Sequence, residues 1–142
     1  MWQAVASVEA AASPEAAWRV LADIPGWPRW THRLEWAELE GELRAGTRGR
    51  HKPRGWPPNR FRVVSVDPGR RFTTRSGPAG GRILIEHIVE PAGAGARLTE
   101  RWTIRGPLAP VLVALAGRRA ARTLDADLNR LARLSEALEH DG

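Results

Sequence analysis

A chain of 142 residues with 42% hydrophobic and 27% charged side chains has the length and composition of one globular domain, which excludes disordered and fibrous classes. Cysteine is absent, so disulfides, thiolate nucleophiles and cysteine-based zinc sites are excluded together. The net charge of +6 is unevenly placed: residues 44–75 hold ten basic groups against one acid, a local +9, while the remainder carries −3.

Residues 2–9 alternate, with Trp2, Ala4, Ala6 and Val8 on one side, and predict a strand. Ser13-Pro14-Glu15 then opens a helix: serine caps, proline fits the first helical position, and glutamate favours the positive end. Its apolar stripe is Ala17, Trp18, Leu21 and Ala22, and it stops near Asp23-Ile24-Pro25-Gly26. After a short turn, Trp27-Pro28-Arg29-Trp30, six strands are expected at about 34–41, 46–52, 59–67, 70–76, 81–91 and 96–105, divided by glycine- and proline-rich turns. One long helix is expected over about 107–139. The order is that of an α+β fold, a curved antiparallel sheet of about seven strands with helices on one side.

The final helix, projected at 100° per residue, places Val113, Gly117, Ala120, Leu124, Leu131 and Leu138 on one face. The first half of that face is small and the second half is leucine. Small residues leave space and leucines fill it, so a cavity is expected over the Val113–Leu124 stretch and a solid core beyond. The alternative is that Gly117 and Ala120 allow close helix–sheet packing with no void.

The hairpin 81–105 fixes a register. A turn at Ala92-Gly93-Ala94-Gly95 pairs Val89 with Leu98, His87 with Glu100, Ile85 with Trp102 and Ile83 with Ile104, which keeps both apolar sets on one face. His87 and Glu100 then sit opposite each other amid apolar neighbours. A buried carboxyl beside an imidazole is a candidate acid/base pair, or else a structural pair in a wet cavity. Trp30, Trp56 and Trp102 are candidate aromatic walls, suited to flat or acyl ligands and equally to core packing. Phe61 and Phe72 are expected to face inward. Arg48, Arg50, Lys52, Arg60 and Arg62 are expected on the outer face, as solvated surface or as a docking site for an acidic partner. Arg50 or Arg54, near the loop bearing Trp56, is placed to meet a ligand carboxylate.

The four histidines, His32, His51, His87 and His140, stand at no metal-ligand spacing, and no metal is expected. GxSxG, P-loop and GxGxxG motifs are absent, so neither covalent catalysis nor a cofactor is expected, and the available chemistry is binding and proton transfer. The amino-terminal MWQAVASVEA has neither region of an export signal. The apolar run at Leu108–Gly117 is about half of the roughly 20 residues of a membrane span. No membrane span is expected, and the expected location is the cytoplasm.

Several short motifs, in this order, carry a resemblance. They are Ala12-Ser13-Pro14-Glu15-Ala16-Ala17-Trp18, Leu21-Ala22-Asp23, Trp27-Pro28-Arg29-Trp30, Asp67-Pro68-Gly69-Arg70-Arg71-Phe72, Gly95-Ala96-Arg97-Leu98-Thr99 and Gly106-Pro107-Leu108. The chain resembles the START-like (SRPBCC) superfamily, the polyketide cyclase/dehydrase and lipid transport group, over nearly its whole length. The resemblance implies a single START-like domain over 1–142 with a helix-grip fold, whose last helix closes a deep pocket for a hydrophobic ligand. It implies a cyclase or dehydratase acting on a polyketide-like substrate, or alternatively a non-catalytic carrier of lipids or apolar metabolites. His87 and Glu100 are then the candidate catalytic pair. Trp30, Trp56, Phe61, Phe72, Ile85, Trp102, Val113, Gly117 and Ala120 are the candidate lining. An acidic carrier protein is the expected partner for segment 44–75, and nucleic acid is the weakest candidate.

Overall fold

The computed structural model describes residues 1–141. Seven strands, β1 (Trp2–Ala10), β2 (Leu34–Leu39), β3 (Arg48–Pro53), β4 (Asn59–Asp67), β5 (Arg71–Ser76), β6 (Arg82–Ala92) and β7 (Gly95–Arg105), form one antiparallel sheet in the order β1-β7-β6-β5-β4-β3-β2. Chain neighbours from β2 to β7 pair in sequence, as a meander must, and β1 closes onto β7 from the other end. The sheet is curled into a half-barrel around a long C-terminal helix, a helix-grip α+β fold.

Helix α1 (Pro14–Ala22) starts where the sequence expects: the Ser13 hydroxyl accepts from the Ala16 N–H at 3.1 Å, and Pro14 takes the first turn. Its buried face is Ala16, Ala17, Val20 and Leu21, one step from the stripe read by projection. Trp18 is half-buried and meets Phe72 edge-on at 5.8 Å. The turn that follows is a 3-10 helix, Ile24–Arg29.

The C-terminal helix runs without interruption as α2 (Ala109–Leu112), a π-helical segment (Val113–Gly117) and α3 (Arg118–Asp141). Leu128, Leu131 and Ala132 of α3 pack with Leu21, Ile24, Leu98 and Phe72 in the main core, and Ala120 and Leu124 form a second cluster with Trp102. The far end of α3 is tied down by polar contacts. Glu136 accepts from the Ala11 N–H at 2.8 Å, and Glu139 accepts from the Ser13 hydroxyl at 2.8 Å. No helix among the described residues is long and apolar enough to cross a membrane.

Gly117 explains how α3 reaches the sheet. A Cβ there would lie 2.9 Å from Ile104 Cδ1 and 3.0 Å from the Trp2 ring, so glycine allows the approach without displacing those side chains. Gly49 plays the same part across β3, where a Cβ would stand 2.3 Å from the Phe61 ring.

Candidate functional site

A cavity of about 630 Å³ lies between the concave sheet and the first turns of the C-terminal helix. The β6–β7 register sets its floor. His87 pairs with Glu100, Ile85 with Trp102 and Ile83 with Ile104, the register that the turn at Gly93 and Gly95 predicts. Ile83, Ile85, His87, Glu100 and Trp102 all line the cavity.

Of the residues expected at the site from sequence, Trp30, Trp56, Phe61, Ile85, His87, Glu100 and Trp102 line it. Trp56 stands at the mouth, 44% exposed. Four others do not line it. Phe72 is completely buried beneath the imidazole of His87, stacked at 4.7 Å between ring centroids. Val113, Gly117 and Ala120 lie on the tightest line of helix–sheet contact, with Gly117 against Trp2 and Ile104, and Ala120 in the cluster of Trp102 and Leu124. The wall is formed instead by Leu112, Leu115, Ala116 and Arg119 on the flank. The reason is geometric: the centre of an apolar stripe is what touches the sheet, so a void opens only beside it. For Gly117 the close-packing alternative describes the structure.

His87 Nδ1 lies 3.5 Å from Glu100 Oε1, with both side chains buried. The other carboxyl oxygen, Oε2, accepts from the Trp102 indole N–H at 2.7 Å. Burial lowers the His87 pKa from its ordinary value; Glu100 opposes that effect and the positive charge of Arg33 adds to it. The imidazole is therefore neutral at pH 7 and has a ring nitrogen able to take up a proton.

A second polar group abuts this pair. Arg33, just before β2, lies with its guanidinium 4.9 Å from the Trp102 ring centroid and its Nε 3.7 Å from Asp127 Oδ2. Asp127 also accepts from the Thr31 hydroxyl at 3.0 Å and from Arg130 at 2.6 Å. Burial raises its pKa against the pull of Arg33 and Thr31, with Glu100 adding to the rise and Arg130 opposing it. Arg33 thus supplies the positive charge beside buried Asp127. Three buried polar atoms in this region have no hydrogen-bond partner: Trp30 Nε1, Arg33 Nε and Glu100 Oε1. All three belong to residues that line the cavity.

Sequence reasoning gave no site role to Arg33, Thr31, Arg119 or Asp127. The available signal for Asp127 was an acid within a leucine-rich helical face. Arg50 and Arg54, expected near a ligand carboxylate, are otherwise engaged. Arg50 pairs with Glu38 at 3.0 Å, and Arg54 donates to the His32 carbonyl at 2.7 Å.

The sequence matches the family described as polyketide cyclase/dehydrase and lipid transport over residues 1–136, and the chain belongs to that family. Comparison with curated proteins returns no match. Among solved structures, the chain is similar to the di-domain ARO/CYC BexL from the BE-7585A biosynthetic pathway. Identity is 21% over 96% of this chain and 47% of that one, with a TM-score of 0.72. It is similar to TTHA0849 from Thermus thermophilus, 20% identical over 96% of this chain and 98% of that one, TM-score 0.72. It is also similar to the hypothetical protein jhp0584 from Helicobacter pylori, 15% identical over 94% and 88% of the two chains, TM-score 0.77. At these identities the likeness speaks for the fold.

Proposed function

We propose that the protein binds a hydrophobic, ketone-bearing metabolite of polyketide type and catalyses its cyclisation or dehydration by proton transfer through His87 and Glu100. The observation that carries this reading is the polar floor of an otherwise apolar cavity. Glu100 Oε1 is an acceptor without a donor, and Trp30 Nε1 and Arg33 Nε are donors without an acceptor. Unpartnered buried groups are costly, and a bound molecule carrying a carbonyl and a hydroxyl satisfies both kinds, the carbonyl accepting and the hydroxyl donating.

In this reading the Trp30 N–H holds the ligand oxygen on which negative charge develops, and the positive charge of Arg33 lies beside the site. Neutral His87, beside Glu100, takes the proton from the adjacent carbon. In dehydration it returns the proton to the leaving hydroxyl, which departs as water. In cyclisation the carbanion attacks a second carbonyl carbon, and the proton goes to the alkoxide oxygen so formed. The apolar walls of Ile83, Ile85 and Trp102 keep water from the reacting carbon. No cofactor is required for such a sequence. The family's description and the cyclase among the similar structures support the substrate class.

The test uses α-tetralone, a flat apolar ketone. The wild-type protein is expected to bind it and to speed exchange of its α-protons in D2O, followed by NMR. His87→Gln and Glu100→Gln should each lower that rate by about 100-fold or more while leaving the Kd within about twofold. A wild-type protein that binds the ketone and exchanges no proton is a carrier, and the enzymatic reading then fails.

A further inference from the structure

A second groove adjoins the cavity, and arginines line it. Strands β4 and β5 pair from Arg62 with Arg75 down to Asp67 with Arg71. Continuing that register would join Phe61 with Ser76 and Arg60 with Gly77, but neither pair forms. The β4–β5 ladder therefore stops at Arg62 and Arg75, and β5 itself ends at Ser76. The residues beyond that end of the ladder, Arg60, Phe61, Ser76, Gly77 and Pro78, line both the cavity and an adjoining groove of about 1130 Å³.

That groove is built from Arg48, Arg60, Arg62, Arg75, Arg82 and Arg105, with Glu40 the one carboxyl among its walls. The arginines face one another directly: Arg48 opposes Arg62, Arg62 opposes Arg75, and Arg82 opposes Arg105. Like charges on directly opposed residues destabilise a sheet. Among the described residues none of the six has a carboxylate within ion-pair distance, whereas Arg50, Arg71, Arg97 and Arg101 on the same sheet all do. An arginine-rich composition explains how many arginines the chain has. It does not explain six of them set together without an ion-pair partner, beside an apolar cavity.

We infer that a portal lies where the β4–β5 ladder stops, and that the groove outside it holds the phosphate-bearing end of an amphiphile whose apolar body occupies the cavity. Guanidinium groups bind phosphate through paired, charge-assisted hydrogen bonds, and a group of charge near −2 best offsets this surplus. Continuity with the apolar cavity favours an amphiphile over a wholly polar polyanion. The inference rests on the cavity being a ligand site, as proposed above, and it specifies the ligand's polar end.

The experiment measures binding of dodecyl phosphate, 1-dodecanol, inorganic phosphate and poly-glutamate to the full chain in about 0.15 M salt. Dodecyl phosphate is expected to bind at least about tenfold more tightly than dodecanol. The double variant R62Q/R75Q should erase that advantage without changing dodecanol affinity. Inorganic phosphate should not displace dodecyl phosphate at equal concentration. Equal binding of the two dodecyl compounds by the wild type would overturn the inference while leaving the cavity reading intact. So would a preference that survives in R62Q/R75Q, because Arg33 or Arg119 would then hold the anion. Binding of poly-glutamate through these arginines, with no gain for dodecyl phosphate, would make the groove a face for an acidic protein. Failure of both dodecyl compounds to bind would overturn the cavity reading as well.

Discussion

Arg33 places its guanidinium 4.9 Å from the Trp102 ring centroid, so the cation paired with buried Asp127 also lies over the aromatic wall of the cavity. Asp127 retains Thr31 and Arg130 when Arg33 is removed. Arg33→Leu is therefore expected to cost about 1–3 kcal/mol at pH 7, less than the loss of an only partner. Chemical denaturation of the R33L, D127N and double variants should show a coupling of about 1 kcal/mol or more, because the two residues share one network. Additive losses would show that they do not interact.

Gly117 and Ala116 are adjacent in sequence and face different surroundings, so they separate packing from binding. Gly117→Ala drives a methyl into Ile104 and Trp2 and should cost about 1–3 kcal/mol with ligand affinity unchanged. Ala116→Phe projects into the cavity instead. It should leave the melting temperature nearly unchanged and weaken binding of an apolar fluorescent probe by about tenfold.

Two histidines set the pH dependence of stability. Burial lowers the pKa of His87 and, ahead of its bond with Asn59, that of His51. The unfolded chain therefore takes up protons near the ordinary value of 6.5 that the fold refuses. Stability is full above that pH and declines as pH falls below it, by at most about 1.4 kcal/mol per pH unit for each histidine. Unfolding between pH 7.5 and 5.5 should show this slope, and His87→Gln should reduce it. Asp127, whose pKa is raised, works in the opposite sense at lower pH: between 3.8 and its raised value, stability grows as pH falls.

The opposed arginines carry a stability cost that one substitution relieves. Arg62 faces Arg48 on one side and Arg75 on the other. Arg62→Gln should stabilise the protein by about 0.2–1 kcal/mol, and added salt should raise the wild-type melting temperature more than that of the variant. A destabilised R62Q would mean that these guanidinium groups hold the sheet together.

Much of the architecture follows from local chemistry. Ser13 and Pro14 start α1, glycine and proline turns divide the strands, and the Gly93–Gly95 turn brings His87 to Glu100 because a register slip would turn apolar residues to solvent. The rest of the site depends on distant parts of the chain meeting. Arg33 and Asp127 stand far apart along the chain and meet only when α3 crosses the turn before β2. The cavity wall at Ala116 and Arg119 was hidden for a related reason. A helical projection finds the face that touches the sheet, whereas a void depends on how closely the two bodies approach.

The attachment of the C-terminal helix has a mechanical consequence. Its far end is clamped at Glu136 and Glu139, and Gly117 is pressed against Trp2 and Ile104. The Ala109–Leu112 turn beyond that pivot buries no residue. That first turn is held as well: it follows β7 closely, and the Leu108 N–H donates to the Gly80 carbonyl at 2.9 Å. The helix is thus a beam fixed at both ends, and the span between, with its wider π turn, roofs the cavity. Substitutions at Leu115 or Ala116 therefore reshape the roof without touching the strand pairing that sets the polar floor.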